Sequence, residues 1–423
     1  MNRLKQTIIK YSELIPKKIF KRNITLPNTK LAKAITIIGP RRAGKSYLLY
    51  NESKKKENVV FINFEDHSLI NLKYEELIQI SEIAKEITDS EKNCYMFDEI
   101  QAIDNWEKLV ISLLNEGNEV YITGSNSKLL SKEIATNLRG KALSCLALPL
   151  SFKEFLIFKN IKLEKNIEYK NNHKEIKKQF TEYFKFGGYP EIALTDEKEI
   201  KNKIINNYYE TIIYKDIEER LKIKNSKLIE ITINYLLNTF SNTFSITKYQ
   251  KFLKSNKIPH SLEDIYNIIK ATRDIFFIQL VKEHKKSYKK SEISKTKVYL
   301  FDTGFIHYIA KENNDKGRIL ENLIFIELFR IQNTIENKNI FYHQGKFECD
   351  FVITQNSEIV EAIQVCYEIT DSNQEREYAG LLEVMNEQGL GQGTIITLEQ
   401  EKTVNIDGKT IEIKPAWKWM LKL

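Results

Sequence analysis

Short, unbroken apolar runs set the rhythm of the first third of the chain. They fall near residues 34–38, 58–64, 94–98, 119–123 and 142–148, each followed by a polar turn and a longer stretch of helical spacing. Continuous apolar runs of this length read as strands covered on both faces, and their alternation with helices predicts a parallel sheet with helices on either side. Residues 1–30 are basic and polar and predict a short helix beside the first strand. Residues 151–225 read as helical, with Gly187-Gly188-Tyr189-Pro190 as the clearest break. Their many aromatics, among them Phe152, Phe155, Phe180, Tyr183 and Phe184, have the spacing of a helix core rather than of a base-stacking surface.

A third rhythm begins at residue 226. A helix over roughly 226–240 is followed by a second that Ser245 can cap and a third opened by Ser261, running from Leu262 to Lys270. Strand-like Ile275–Val281, a lysine-rich stretch and Lys297–Phe301 then form a hairpin. Three helices and a hairpin with a basic tip make a winged-helix arrangement, in which Lys285, Lys286, Lys289 and Lys290 would lie near DNA phosphates. Such modules also bind proteins, so double-stranded DNA and a protein partner are both open. Residues 311–423 start with a helix, Gly317–Arg330, carrying Glu321 and Glu327 on an apolar pattern, and continue with strands near 340–343, 348–353 and 359–366. A glutamate on a helix, Asp350 on a strand and Gln364 on the next follow the layout of a PD-(D/E)xK nuclease. Cys366 stands where that chemistry wants a lysine, so the expectation is a nuclease-like α/β scaffold with a vestigial site at Glu321, Asp350 and Gln364.

Candidate chemistry is densest after the first strand. Gly39-Pro40-Arg41-Arg42-Ala43-Gly44-Lys45-Ser46 satisfies every fixed position of the phosphate-binding loop GxxxxGK[ST], between a strand and a helix. The glycines let successive N–H groups face a phosphate, Lys45 reaches the β- and γ-phosphates, and Ser46 can ligate Mg²⁺. Arg41 and Arg42 either touch phosphate or add local positive charge. Asp98 and Glu99 end the apolar strand Cys94–Phe97. There Asp98 would hold Mg²⁺ and Glu99 would polarise the attacking water. Ser125 or Asn126, after the next strand, would orient that water. Arg139 is a candidate to reach the γ-phosphate of a neighbouring subunit, which would require a homo-oligomer.

Composition narrows the setting. The 423 residues allow two or three domains, and 42% hydrophobic with 29% charged residues describes a globular chain. No apolar run is long enough to span a membrane, and Met1-Asn2-Arg3-Leu4-Lys5 lacks the apolar core of a secretory signal. Four scattered cysteines fit a reducing cytoplasm and argue against a zinc site. The net charge of +8 is compatible with nucleic acid without requiring it.

Several collinear motifs carry a family resemblance: GPRRAGKS, FDEIQ at Phe97–Gln101, TGSNSKLL at Thr123–Leu130, LRGK before LPLSFKEFL, GGYPE at Gly187–Glu191 and KVYLFDTGF at Lys297–Phe305. The chain resembles a widespread group of bacterial and archaeal AAA-type ATPases that join an ATPase core to a winged helix and a restriction-endonuclease-like domain. The resemblance implies an ATPase core of the AAA+ superfamily over residues 1–150, a helical lid over 151–225, a winged helix over 226–310 and a nuclease-like domain over 311–423. It also implies ATP and Mg²⁺ at Lys45, Ser46, Asp98 and Glu99, with Arg139 as the family's arginine. Three readings follow: an ATP-hydrolysing switch or motor engaging DNA or a protein, an ATP-dependent nuclease, or a DNA-binding regulator that uses ATP as a conformational ligand.

Overall fold

The computed structural model describes residues 3–16, 19–29, 31–124, 138, 140–163, 173–221, 225–285, 294–309 and 315–422. The chain divides into two compact units, Met1–Pro149 and Leu150–Leu423.

The first unit is built on five parallel strands: β1 (Ala34–Ile38), β2 (Val59–Asn63), β3 (Cys94–Asp98), β4 (Glu119–Gly124) and β5 (Ala142–Leu146). They lie in the order β2-β3-β4-β1-β5. Every residue of β1 and β3 is buried, the reason their sequences are apolar without alternation. Isoleucines 35 and 37 of β1 share a core with Leu48 and Leu49 of the following helix, Lys45–Ser53, and with Phe61, Met96 and Tyr121 from neighbouring strands. The N-terminal helix, Arg3–Glu13, packs beside β2 rather than beside β1 as its sequence position implied. Arg3 fixes it there by an ion pair with Glu76, and Thr7 bonds Ser68. The last strand stops at Leu146, two residues early, because Ala147 turns its N–H to Ile38 O and its own carbonyl toward Gly39.

The second unit opens with a helix, Phe152–Phe158, whose Ser151 cap and Glu154 form a reciprocal capping box. Phe152, Phe155, Phe180 and Tyr183 pack edge-on or tilted against one another at ring separations of 5.2–5.5 Å, joining this helix to His173–Phe186. Helix Lys198–Thr211 runs on into a π-helical segment, Ile212–Glu218.

Helices Ser226–Asn238, Ile246–Ser255 and Leu262–Asp274 follow, with Ser245 and Ser261 accepting the capping hydrogen bonds from Lys248 and Asp264. They pack on a small antiparallel sheet of β6 (Thr243–Phe244), β7 (Ile278–Lys282) and β8 (Thr296–Leu300), ordered β6-β8-β7. The strand expected from Ile275 begins only at Ile278. The preceding helix runs four residues longer than its sequence suggested, and Phe276 turns the chain at φ 57° while Phe277 N bonds Thr272 O. Ile275 and Phe277 are both buried on this turn, so an apolar run alone did not separate turn from strand.

Helix Lys316–Gln332 then leads into a six-stranded mixed sheet. Its strands are β9 (Lys338–Gln344), β10 (Glu348–Gln355), β11 (Glu358–Val365), β12 (Gln392–Thr397), β13 (Lys402–Ile406) and β14 (Lys409–Pro415). The order is β13-β14-β12-β11-β10-β9. Strands β9 to β11 form an antiparallel meander, and helix Gln374–Gln388 carries the chain across to β12, parallel to β11. The two sheets of this unit meet where Glu283 bridges Tyr342 and His284 N bonds Tyr342 O. Asn322, fully buried on the 316–332 helix, closes the joint by accepting from Leu300 N and donating to Leu300 O.

Candidate functional site

The phosphate-binding loop leaves β1 beside β4, where the strand order reverses and α/β sheets place their ligands. Gly39 adopts φ 149° with its α-carbon so close to β5 that a Cβ would lie 2.1 Å from Ala147 O. Only glycine fits there. Arg42 and Gly44 also take positive φ, at 63° and 91°, which curls the loop ahead of the helix beginning at Lys45. Lys45 is buried and donates to the loop's own carbonyls, Gly39 O at 3.2 Å and Pro40 O at 2.9 Å. Arg41 lies 3.9 Å from Glu65, while Arg22 reaches in from the N-terminal segment and donates to Ala43 O at 2.7 Å and Leu148 O at 2.8 Å.

Strand β3 delivers Asp98 next to this loop. Asp98 is buried, accepts a hydrogen bond from Thr123 beside Ser46, and is pushed up to about 6, first by burial and then by neighbouring Glu99. Thr123 serves both acids: its hydroxyl donates to Asp98 Oδ1 and accepts from Glu99 N at 3.1 Å. Glu99 turns the chain at φ 50° and accepts from Gln101. Lys45, Ser46, Asp98 and Glu99 thus come together. Ser125, Asn126 and Arg139 lie outside the described residues. Arg22 and Thr123 were missed by sequence reasoning: Arg22 sits in no motif, Thr123 opens TGSNSKLL without having been given a role there, and each meets the site only through folding. The carboxylate of Asp66, just past β2, caps the short helix His67–Leu69 and pairs with Lys10 and Tyr11, which hold it well below the usual carboxylate range.

A second polar centre lies in the C-terminal unit. Lys297 of β8 belongs by sequence to the basic hairpin, yet it is 1% exposed. Its Nζ lies 3.0 Å from Glu321 Oε1, 3.0 Å from Asp350 Oδ1 and 2.6 Å from Glu348 Oε1. Burial alone would push this ammonium down; the carboxylates, Glu321 first, outweigh it and hold it well above the ordinary lysine value. Tyr299 donates to Glu321 at 2.6 Å, and burial pushes Glu321 up to about 8. Gln364 accepts from Asp350 N and donates to Glu377, while Asp350 Oδ2 accepts from Val365 N. Glu321, Asp350 and Gln364 therefore meet as their spacing indicated. Cys366 takes no part, because its thiol donates to Glu368 O. On the hairpin Lys285 pairs with Glu283, and Lys286, Lys289 and Lys290 lie outside the described residues.

Residues 31–156 match the AAA domain family, and residues 177–316 match a domain of unknown function, DUF8612. Together with the parallel sheet and the loop geometry, the first match marks residues 31–156 as an AAA-type P-loop domain. The uncharacterized protein MJ1544 of Methanocaldococcus jannaschii is 41% identical, over 98% of this chain and 98% of its own, so the chain belongs to the same family. An uncharacterized protein of Haemophilus influenzae is 29% identical over 94% of this chain and 96% of its own. Among solved structures, Cdc6p from Pyrobaculum aerophilum is similar at 11% identity, covering 76% of this chain and 93% of that one, with a TM-score of 0.26. Among the described residues no helix is long and apolar enough to cross a membrane.

Proposed function

We propose that this chain is a Mg²⁺-dependent ATPase that works as a switch or motor on DNA or on a protein partner. The contact between Ser46 and Asp98, beside Lys45 and Glu99, carries the reading. A hydroxyl and a buried carboxylate brought together from two elements are hard oxygen donors suited to Mg²⁺. When bound, the ion neutralises charge on the phosphate oxygens. Lys45 exchanges its two loop carbonyls for β- and γ-phosphate oxygens, and the curled backbone presents its N–H groups to the β-phosphate. Glu99 orients the attacking water and takes its proton, with its backbone fixed by Thr123. Arg22 holds the loop at Ala43.

The remaining parts follow from topology. A helix, a short strand, two helices and a hairpin, in a sheet ordered β6-β8-β7, support reading residues 226–310 as a winged helix. The exposed face of its third helix offers Leu262 and Tyr266 beside Lys270 and Arg273, a surface fit for a macromolecular partner. Helix 316–332, the β9–β11 meander, helix 374–388 and β12 support the nuclease-like reading of the last domain.

Nucleotide binding and steady-state turnover test the proposal. Lys45→Ala should lose ATP binding. Glu99→Gln should bind ATP yet turn it over about 10²–10⁴-fold more slowly. Turnover by Glu99→Gln at the wild-type rate would remove Glu99 from its role.

A further inference from the structure

The turn between β9 and β10 is built around one carboxylate. Glu383, on helix Gln374–Gln388, accepts from Lys346 N at 2.9 Å through Oε1 and from Phe347 N at 2.9 Å through Oε2. The turn passes so close that a Cβ on Gly345 would lie 1.8 Å from Glu383 Oε1. His343, on β9, brings its Nε2 to 3.3 Å from the same oxygen. Glu387 follows Glu383 by one helical turn, and the ligand atoms of His343, Glu383 and Glu387 all lie within 4.8 Å of one another. The group shares no residue with the Lys297 centre.

Lone pairs decide what can sit among these three side chains. An ionised carboxylate has about four acceptor sites, and the two turn N–H groups take one on each oxygen of Glu383, leaving a second on each. A neutral imidazole nitrogen facing a carboxylate oxygen needs a proton or a metal ion between them, because two lone pairs repel. A proton joins only two of the three groups, whereas a metal ion joins all three. Distance agrees with the second: ligands of a tetrahedral Zn²⁺, each about 2.0–2.2 Å from it, stand about 3.4 Å apart. His343 Nε2 and Glu383 Oε1 are 3.3 Å apart. Two ionised glutamates and a neutral histidine balance one divalent charge. Imidazole nitrogen selects Zn²⁺ over Mg²⁺ and Ca²⁺, which favour oxygen throughout. The turn amides stand behind Glu383 as the outer partners that orient a ligand. No cysteine takes part, so the scattered thiols, which speak against a zinc site in the sequence, do not bear on this one.

We infer that His343, Glu383 and Glu387 form a Zn²⁺ site that ties the β9–β10 turn to helix 374–388. Lys346, Phe347 and Glu348 of that turn line a cavity of about 630 Å³ that also reaches Asp350 and Gln364. The ion thus braces one wall of the cavity, adding to the two hydrogen bonds by which Glu383 holds the turn. Water completes the coordination on the exposed side, where Glu387 stands.

The test is calorimetric titration of the full-length protein, stripped with EDTA, with ZnCl₂. The wild type is expected to take up Zn²⁺ and to melt at a higher temperature with it. His343→Ala and Glu387→Gln should each weaken that uptake at least about 10-fold. Glu387 is exposed and the turn's hydrogen bonds go to Glu383, so Glu387→Gln should melt with the wild type in EDTA. That control separates lost binding from lost fold. Co²⁺ in place of Zn²⁺ should give the visible absorption of a tetrahedral site in the wild type and not in Glu387→Gln. Zn²⁺ held at the nucleotide site or on cysteines would ignore both substitutions, so equal affinity in all three proteins would overturn the inference. Absence of uptake by the wild type, or a preference of these residues for Mg²⁺ or Ca²⁺ over Zn²⁺, would overturn it as well.

Discussion

Thr123 shows how one hydroxyl can organise two acids. It stands next to last in β4, donates to Asp98 and accepts from Glu99 N, so it sets both the orientation of the Asp98 carboxylate, proposed to hold Mg²⁺, and the backbone of Glu99, proposed to face the water. Thr123→Val should keep ATP binding and slow hydrolysis about 10–100-fold, the usual cost of losing a partner behind a metal ligand. Asp302 is a second residue whose surroundings decide its behaviour. It is buried, accepts from Gly188 N at 2.7 Å and Gly304 N at 2.9 Å, and burial outweighs those bonds to push it up to about 7. A carboxyl raised in the folded state favours folding at low pH, and that contribution fades as pH rises from about 4, its unfolded value, to about 7. The melting-temperature advantage of wild type over Asp302→Asn should therefore shrink across that window; an advantage that grew with pH would contradict the assignment. Residues such as Lys45 and Asp98 were legible because their chemistry is packed into short motifs with fixed spacing. Thr123, Arg22 and Lys297 were not, because each acts on partners brought to it only by the tertiary fold.

At the level of elements, the turn at Gly187–Gly188 is fastened to the end of β8. Gly187 takes φ 77°, and a Cβ there would lie 1.8 Å from Asp302 Oδ1; Gly188 N donates to the same carboxylate. Gly187→Ala should destabilise the protein by about 1–3 kcal/mol from backbone strain alone, read as a lower denaturation midpoint. No change in midpoint would show that this joint yields freely. The five parallel strands and the serine-capped helices could be read from the chain, because continuous apolar runs and cap residues are local signals. The turn at Ile275–Phe277 could not, since its buried side chains imitate a strand and only the positive φ of Phe276 tells them apart. Lys297 also misled, because its place beside the lysine-rich stretch cannot say that it turns inward onto three carboxylates.

The whole chain joins a nucleotide site in one compact unit to a hairpin and a mixed sheet in another, and the relative in Methanocaldococcus jannaschii keeps that span over 98% of its own length. An ATPase coupled to a macromolecular partner would use the first unit to drive the second. If DNA is that partner, neutralising Lys285, Lys286, Lys289 and Lys290 should weaken duplex binding and flatten its salt dependence. Unchanged affinity would move the partner surface off the hairpin. If Arg139 acts across subunits, mixing Arg139→Ala with Lys45→Ala protein should restore partial turnover that neither variant has alone. The central claim is that Lys45, Ser46, Asp98 and Glu99 bind and hydrolyse ATP. Its most direct test is steady-state ATP hydrolysis by the purified full chain, with and without Mg²⁺ and duplex DNA, alongside Lys45→Ala. The account predicts Mg²⁺-dependent turnover that Lys45→Ala abolishes. Turnover equal in the two proteins, or none from wild type that binds ATP with Mg²⁺ and DNA present, would contradict it.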